Sequence, residues 1–257
     1  YFWTILVLQY IVQVTVAGVI GTWWTAPAEA DACCSTAVVD STYRSMTYSF
    51  GSICMGSLLL AVVKALRAVT DYLRDQQRSS DEPNAIVGIL LCCAECILRM
   101  LEGILEYFNQ WAFSYIGLYG YSYLDAGKGV LELFKSRGWT TYVTEDIASN
   151  VTFFGTLMTG VLTGGLGALL NYTSFHLFED SEDVSKEWIA FSVGGVTGLV
   201  IGGIMMNIVS GAVNTVIVCM AEMPDELQAN HPKYSQAMRY GWLKAFPSCG
   251  LKYDVVV

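Results

Sequence analysis

Charged residues are scarce in this sequence. Asp, Glu, Lys and Arg make up only 14% of its 257 residues, while 54% are hydrophobic. Ordinary soluble domains carry about 25% charged residues. The mean hydropathy of the chain is +0.45. This shortage of charge excludes an ordinary water-soluble globular domain and predicts a membrane protein.

Basic residues are also few, with 14 Lys and Arg against 23 Asp and Glu. The formal net charge is −9 at neutral pH. Because nucleic-acid binding requires clusters of Lys and Arg against the phosphates, this balance argues against a nucleic-acid partner. The composition predicts that the main partner of the chain is the lipid bilayer.

The sequence also lacks recognisable motifs for catalysis, cofactor binding and metal binding. It has no Gly-rich phosphate loop, no nucleophile elbow and no paired catalytic carboxylates. Cys92, Cys93 and Cys96 are clustered, but His176 and His231 stand alone and do not supply the second ligand pair that zinc needs. We interpret the cysteines as packing residues or palmitoylation targets. The prediction is no enzymatic activity, no cofactor and no metal.

Long apolar runs dominate what is present. About 20 apolar residues are needed for a helix to cross the hydrocarbon layer. Four runs are long and apolar enough to be read as spans: Tyr1–Trp24, Met46–Val63, Ile147–Leu170 and Trp188–Ala221. None of them alternates apolar and polar residues as the strands of a membrane barrel do. The predicted fold class is all-α, a polytopic transmembrane helix bundle.

Lys and Arg are distributed unevenly between these spans. Only Arg44 lies between the first two, and only Lys186 between the last two. The region between the second and third spans instead carries Lys64, Arg67, Arg74, Arg78, Arg99, Lys128, Lys135 and Arg137, and Lys233, Arg239, Lys244 and Lys252 follow the fourth. By the positive-inside rule, the middle region and the C-terminus are predicted to be cytoplasmic.

The hydrophobic region 85–117 lies inside this cytoplasmic middle segment and therefore is not a single crossing. Its charged residues Glu95, Arg99, Glu102 and Glu106 are spaced by three or four, which places them on one helical face. We interpret it as a cytoplasmic or interfacial amphipathic helical insert. The predicted segments are spans one and two with a helical extension (1–70), the insert (71–146), spans three and four (147–221) and a cytoplasmic tail (222–257).

Small residues recur at every fourth position in the last two spans. Gly160 and Gly164 form one series, and Gly194, Gly198 and Gly202 form the other. This spacing lets two helix backbones approach closely in a membrane. We predict tight helix packing here, in preference to a gating role.

Polar residues inside the first span point more directly to function. Gln9 and Gln13 lie one turn apart with Tyr10 beside them, and an unpaired amide in lipid is costly unless it faces the protein interior or a cavity. An interhelical hydrogen bond and a substrate contact both fit this pattern. We predict a substrate-binding site formed by Tyr10, Gln13 and Tyr48.

Four stretches of the sequence resemble one known family. They are "TVAGVIGTWWTAP" (Thr15–Pro27), "YSFGSICMGSLLLAVVKALRAVTDYL" (Tyr48–Leu73), "FNQWAFSYIGLYGYSYLDAGKGVLELF" (Phe108–Phe134) and "CMAEMPDELQANHP" (Cys219–Pro232). Their order and spacing are similar to the C-terminal part of choline transporter-like proteins. The resemblance implies a larger protein with further spans, whose members carry choline and sometimes ethanolamine across plasma or organelle membranes.

This resemblance gives the aromatic stretch 108–134 two interpretations. Trp and Tyr faces hold a quaternary ammonium by cation–π contacts worth about 0.5 to 2 kcal/mol each, so Trp111 and Tyr115 are predicted aromatic contacts of a small cationic substrate. Alternatively, rings with polar tips settle at the level of the lipid headgroups. We favour this belt interpretation, because the stretch belongs to the predicted interfacial insert.

Two functions follow. The first is the C-terminal part of a transporter of choline or related amines such as ethanolamine, working by alternating access in the plasma membrane or an organelle membrane. The alternative is a transporter-derived accessory subunit without transport activity, packed against other membrane subunits. The alternative is suggested by departures from the family pattern at Thr47–Ser49, Trp111 and Tyr123–Gly127. Because the chain opens in mid-span, we expect it to be part of a longer polypeptide.

Overall fold

The structure, a computed structural model, describes residues 1–30, 35–79, 85–137, 147–175 and 186–245. Within these ranges the chain is helical and contains no strand. Four of the described helices are long and apolar enough to cross a membrane: Phe2–Thr25, Phe50–Arg78, Asn150–Thr173 and Glu187–Glu222. The predicted all-α membrane helix bundle is therefore confirmed.

Nine α-helices make up the described chain. They are α1 (Phe2–Thr25), α2 (Thr36–Met46), α3 (Phe50–Arg78), α4 (Ala85–Tyr119), α5 (Tyr123–Arg137), α6 (Ile147–Leu170), α7 (Lys186–Glu222), α8 (Pro224–Asn230) and α9 (Pro232–Ala245). A short 3₁₀ turn, Pro27–Glu29, follows α1, and a π-helical turn, Asn171–Phe175, follows α6. The chain forms two compact units, residues 1–139 with 214–257 and residues 140–213. The predicted segment boundaries stay a prediction.

Helix α1 packs against α2, α3 and α4 within the first unit. Its buried residues lie three or four positions apart along one stripe, as expected for a helix with a single protein-facing side. Contact with α4 is closest at Gly117, where an added Cβ would lie 2.4 Å from the Cβ of Ala17 and 2.7 Å from the carbonyl oxygen of Val14. The C-terminal third of α4 therefore lies against the middle of α1.

Helices α3 and α4 run antiparallel and are joined by ion pairs. The Nζ of Lys64 lies 2.6 Å from a carboxylate oxygen of Glu106, and the Nη1 of Arg67 lies 2.6 Å from one of Glu102. Closer to the C-terminal end of α3, Arg74 pairs with Glu95. The charged face predicted for 85–117 is thus present, and it is matched by the basic face of α3.

Helices α6 and α7 approach each other through small residues in the second unit. An added Cβ at Gly194 would lie 2.8 Å from the carbonyl oxygen of Thr163, and one at Gly160 would lie 2.6 Å from Leu199. The hydroxyl of Thr163 donates to the carbonyl of Thr159 on its own helix, 2.8 Å away, so it is satisfied without a partner on α7. The predicted close helix packing is present at these glycines.

The chain bends sharply after α7. Met223 has φ −129° and ψ 53°, and Pro224 begins α8. The indole nitrogen of Trp24 donates to the carbonyl of Met223 at 2.9 Å, and the side-chain amide of Asn230 donates to the carbonyl of Trp24 at 2.9 Å. Trp24 is fully buried in a cluster with Cys219, Met220 and Leu227. These contacts attach the end of α7 and the start of the tail to the end of α1.

Candidate substrate site

An open cleft of about 730 Å³ lies between the end of α4, α5 and the end of α7. Its lining combines aromatic rings with carboxylates. The polar and aromatic lining residues are Tyr115, Tyr119, Tyr121, Asp125, Lys128, Glu132 and Glu222. All of them belong to the first unit.

Glu222, the last residue of α7, lies at the centre of this group. One of its carboxylate oxygens accepts a hydrogen bond from the phenol of Tyr115, and the other accepts one from the phenol of Tyr119. Two phenols therefore hold one carboxylate, and its remaining surface is exposed to the cleft.

The sequence at the end of α4 explains how the three rings come together. Tyr115 and Tyr119 lie one helical turn apart, so their side chains project from the same face. Gly120 ends the helix with φ +70°, a left-handed conformation that favours glycine. The chain then turns back, and the ring of Tyr121 stacks on that of Tyr119 with centroids 5.3 Å apart.

The cleft carries a net negative charge. Three carboxylates, those of Asp125, Glu132 and Glu222, face a single ammonium, that of Lys128. Lys128 is paired with Asp125 at 3.2 Å. Hydrogen bonds from Ser122 and then Lys128 hold the pKa of Asp125 below its ordinary value. An organic cation is the ligand that this charge balance favours.

The phenols of Tyr115 and Tyr119 remain protonated at neutral pH. Burial raises the pKa of Tyr115 and of Tyr119, and the hydrogen bond to the Glu222 carboxylate raises both further. Each hydroxyl therefore acts as a hydrogen-bond donor to Glu222. The exposed fractions differ, at 2% for Tyr115 and 37% for Tyr119, so Tyr119 presents more of its ring to a ligand.

The predicted site residues of α1 lie elsewhere in the first unit. Tyr10 is buried, and its hydroxyl accepts a hydrogen bond of 3.4 Å from the side-chain amide of Asn109. The side-chain amide of Gln13 donates to the carbonyl of Gln110 at 3.0 Å. Both residues thus make interhelical hydrogen bonds to α4, and neither lines the cleft. Tyr48 is 81% exposed, follows α2 and lines a separate small cavity.

The two predicted aromatic contacts are separated by the structure. Tyr115 lines the cleft, whereas Trp111 is 3% exposed and lies with its ring 6.3 Å from that of Tyr107. Rings of a headgroup belt face outward, but Trp111, Tyr115 and Tyr123 are all buried. For these three rings the belt interpretation is wrong, because α4 and the start of α5 bury them against neighbouring helices.

Glu222 was missed by sequence reasoning. It directly follows the fourth apolar run and lies within the motif that begins at Cys219, so its position at the end of a span was a visible signal. Its partners are 107 and 103 residues away along the chain. No spacing rule connects residues so distant, and only the packing of α4 against the end of α7 brings them together.

The sequence is similar to a family of membrane proteins and to several curated proteins. The sequence model of a family described as plasma-membrane choline transporter matches residues 1–225. Protein PNS1 of Gibberella zeae is 30% identical over 234 residues, which cover 90% of this chain and 42% of that protein. Protein PNS1 of Mycosarcoma maydis is 31% identical over 93% of this chain and 44% of its own length.

A CTL-like protein of Dictyostelium discoideum is 26% identical over 91% of this chain and 40% of its own length. The chain therefore spans about two-fifths of the length of these relatives. The family model matches most of the chain, and the four apolar helices agree with an integral membrane protein. This chain belongs to the choline transporter family of membrane proteins.

Proposed function

We propose that the chain is the C-terminal part of a transporter for choline or related amines such as ethanolamine, and that the cleft at Glu222 contacts the cation. The observation that carries this proposal is a carboxylate held by two phenols beside a third tyrosine ring. Family membership supports the transport class.

The chemistry of the substrate favours such a site. A quaternary ammonium has no N–H to donate, so a site must attract it through charge and through the faces of aromatic rings. Tyr119 and Tyr121 offer partly exposed rings, at 37% and 46%, and Glu222 supplies the opposite charge beside them. The hydroxyl of Tyr119 donates to Glu222, so the face of its ring that does not stack on Tyr121 remains for the cation.

The residues have distinct roles under this proposal. Glu222 is the counter-ion of the substrate, and Tyr119 and Tyr121 supply the aromatic rings that contact it. Tyr115 orients the Glu222 carboxylate through its hydrogen bond. Tyr10 and Gln13 hold α1 against α4, and a direct substrate contact by either residue remains a prediction. We further propose that the cleft and the tail face the cytoplasm, as the distribution of Lys and Arg suggests.

Choline uptake by the native protein in liposomes tests the site. Replacing Tyr119 with Phe keeps the ring and removes the hydroxyl, whereas Tyr119→Leu removes both. Cation–π contact predicts that Tyr119→Phe raises the KM for choline less than threefold. Tyr119→Leu should raise it about tenfold, which corresponds to about 1.4 kcal/mol and lies within the range of one cation–π contact. Glu222→Gln should reduce uptake more strongly than either.

Matched controls separate the site from general damage. Tyr72→Leu removes an exposed tyrosine that does not line the cleft, and Glu226→Gln makes the same charge change four residues after Glu222. Both should leave the KM unchanged. Equal effects of the cleft and control variants would contradict the proposed site, whereas a native protein that takes up no choline or ethanolamine would favour the accessory-subunit alternative.

A further inference from the structure

A second cavity of about 90 Å³ lies where α2 turns into α3. Its polar lining consists of Ser41, Arg44, Ser45, Tyr48 and Ser49, and α1 and the end of α4 supply apolar and glycine residues. The volume is enough for one small tetrahedral group or a few water molecules. The cavity shares no lining residue with the cleft at Glu222.

Arg44 gives this cavity a positive charge. Its guanidinium donates to the hydroxyl of Ser41 at 3.4 Å, and no carboxylate among the described residues lies within ion-pairing distance of it. The basic residues Lys64, Arg67 and Arg74 on α3 are all neutralised by Glu side chains of α4. Arg44 therefore differs from them in having its charge available to a ligand.

Ser49 provides a second, independent indication of a ligand. It is only 6% exposed and lines the cavity, yet its hydroxyl makes no side-chain hydrogen bond to the described residues. Ser49 is the N-cap residue of α3, a position where serine normally bonds a free backbone N–H of the helix. A hydroxyl that lines the cavity without a protein partner can donate to a ligand oxygen placed there.

The same place is the N-terminal end of a 29-residue helix. The first N–H groups of a helix have no intrahelical partner, and the helix dipole adds partial positive charge there. The guanidinium of Arg44 and the unbonded hydroxyl of Ser49 line the cavity beside this helix end. Phosphate oxygens match all three, because they accept hydrogen bonds and carry negative charge.

We propose that Arg44 and Ser49 bind a phosphate group at the N-terminal end of α3, with Tyr48 closing the outer side. Phe50 begins a membrane-spanning helix, so the cavity lies at the level where phospholipid headgroups are found. The phosphate belongs either to a phospholipid headgroup or to free inorganic phosphate. This site is independent of the amine site, and its purpose is to anchor the turn between α2 and α3.

Lipid retention and thermal stability together test the proposal. The native protein, purified in detergent, is incubated with phosphatidylglycerol or with diacylglycerol, which lacks the phosphate, and bound lipid is counted by native mass spectrometry. In a separate arm, inorganic phosphate is added and the unfolding midpoint is measured. We expect selective retention of phosphatidylglycerol, reduced about tenfold in Arg44→Gln, as expected for loss of a charged hydrogen bond.

The control is Arg78→Gln, which removes the same charge at the opposite end of the same helix. This variant should retain phosphatidylglycerol, and respond to inorganic phosphate in its unfolding midpoint, as the native protein does. Stabilisation by inorganic phosphate that is lost in Arg44→Gln supports the free anion as the source, and selective lipid retention supports the headgroup.

If Arg44→Gln does not fold, Ser49→Ala decides the matter, with a smaller, several-fold loss expected from one neutral hydrogen bond. Equal retention of phosphatidylglycerol and diacylglycerol, together with no phosphate effect, would overturn the proposal. So would an Arg78→Gln effect as large as that of Arg44→Gln.

Discussion

Helices α3 and α4 meet through long charged side chains, whereas α6 and α7 meet through glycine and threonine. The first pair places Lys64 and Arg67 opposite Glu102 and Glu106. In the second pair, added atoms at Gly194 would collide with the facing backbone. The contact between α3 and α4 depends on long charged side chains that bridge the two helices. The contact between α6 and α7 depends on the lack of side chains at the glycines.

The difference separates two ways of holding helices together in a membrane. Backbones that approach closely gain van der Waals contact along the whole helix but leave no space for a ligand. Helices joined by polar side chains keep clefts between them, and the groups that line those clefts can bind a solute. The Glu222 cleft lies in the first unit, where α1, α4 and α5 also share buried polar contacts.

The largest effect is expected from adding a side chain at the close contact between α6 and α7. Gly194→Leu would place side-chain atoms against the backbone of Thr163, where even a Cβ would lie 2.8 Å from the carbonyl oxygen. We expect a loss of about 3 kcal/mol in the free energy of unfolding, the upper range for overpacking. Thermal unfolding in detergent measures it.

The matched control is Gly165→Leu, on the facing helix, where an added Cβ meets nothing within 4 Å. It should change the unfolding midpoint little or raise it, because leucine favours helix over glycine. Equal losses at both positions would show that close approach at Gly194 does not hold the two helices together.

A medium effect is expected from the polar network between α1, α4 and α5. Asn109 is fully buried, donates to the hydroxyl of Tyr10 and accepts from the hydroxyl of Tyr123 at 2.7 Å. Asn109→Leu would leave both phenols unsatisfied, which should cost about 2 kcal/mol of unfolding free energy. The measurement is again thermal unfolding, with Asn207→Leu on an exposed part of α7 as the control.

A double-mutant cycle sharpens this prediction. If the Asn109–Tyr123 hydrogen bond is the source of the loss, adding Tyr123→Phe to Asn109→Leu should cost less than Tyr123→Phe alone. Strict additivity of the two changes would mean that the network is not the origin of the destabilisation.

The smallest effect should come from the ion pairs of α3 and α4. Burial opposes ionisation of Glu102, but hydrogen bonds from Arg67 and Lys64 outweigh it and lower its pKa. A lowered pKa contributes stability above the ordinary value of about 4.3, and this contribution is lost as the pH falls through the folded-state pKa. We expect less than about 1 kcal/mol, because the paired Lys64 and Arg67 side chains remain partly exposed to solvent.

The test compares unfolding midpoints at neutral and acidic pH. Native protein should lose slightly more stability on acidification than Glu102→Gln, which carries no titrating group at this position. The control is Glu226→Gln, which makes the same change at an exposed residue of α8 outside these ion pairs and should leave the loss of stability on acidification as in the native protein. An identical acid response of native protein and Glu102→Gln would remove this pair from the account of stability.

The sequence predicted the helices well because membrane insertion imposes long uncharged runs. Each of the four apolar runs lies mainly within one long helix, although the second of these helices begins at Phe50 and not at Met46, which ends α2. The insert predicted over 85–117 is the helix Ala85–Tyr119. The charged stripe of α4 was predicted as well, but its partner on α3 was not. In the sequence, the acidic stripe of α4 and the basic stripe of α3 are each typical of a solvent-exposed helix face. Only the packing of the two helices shows that they pair with each other.

The residues of the cleft could be foreseen only in part, for a related reason. The aromatic stretch contributes Tyr115 to the cleft, but Glu222 comes from a distant part of the chain. Contact of Tyr115 with a cation stays a prediction. The buried hydrogen bonds of Tyr10 and Gln13 reflect the same polar pattern that suggested a substrate contact. Sequence alone identifies a buried polar group without indicating which neighbour satisfies it.

The attachment of Glu222 to its surroundings has a consequence for biosynthesis. Its phenol partners precede it by more than 100 residues, and the Trp24 indole precedes its own acceptor, the carbonyl of Met223, by 199. A nascent chain that stops before residue 222 contains Asp125 and Glu132 of the cleft but not the carboxylate that accepts from the two phenols. Tyr115 and Tyr119 therefore lack this acceptor until the ribosome has delivered the end of α7.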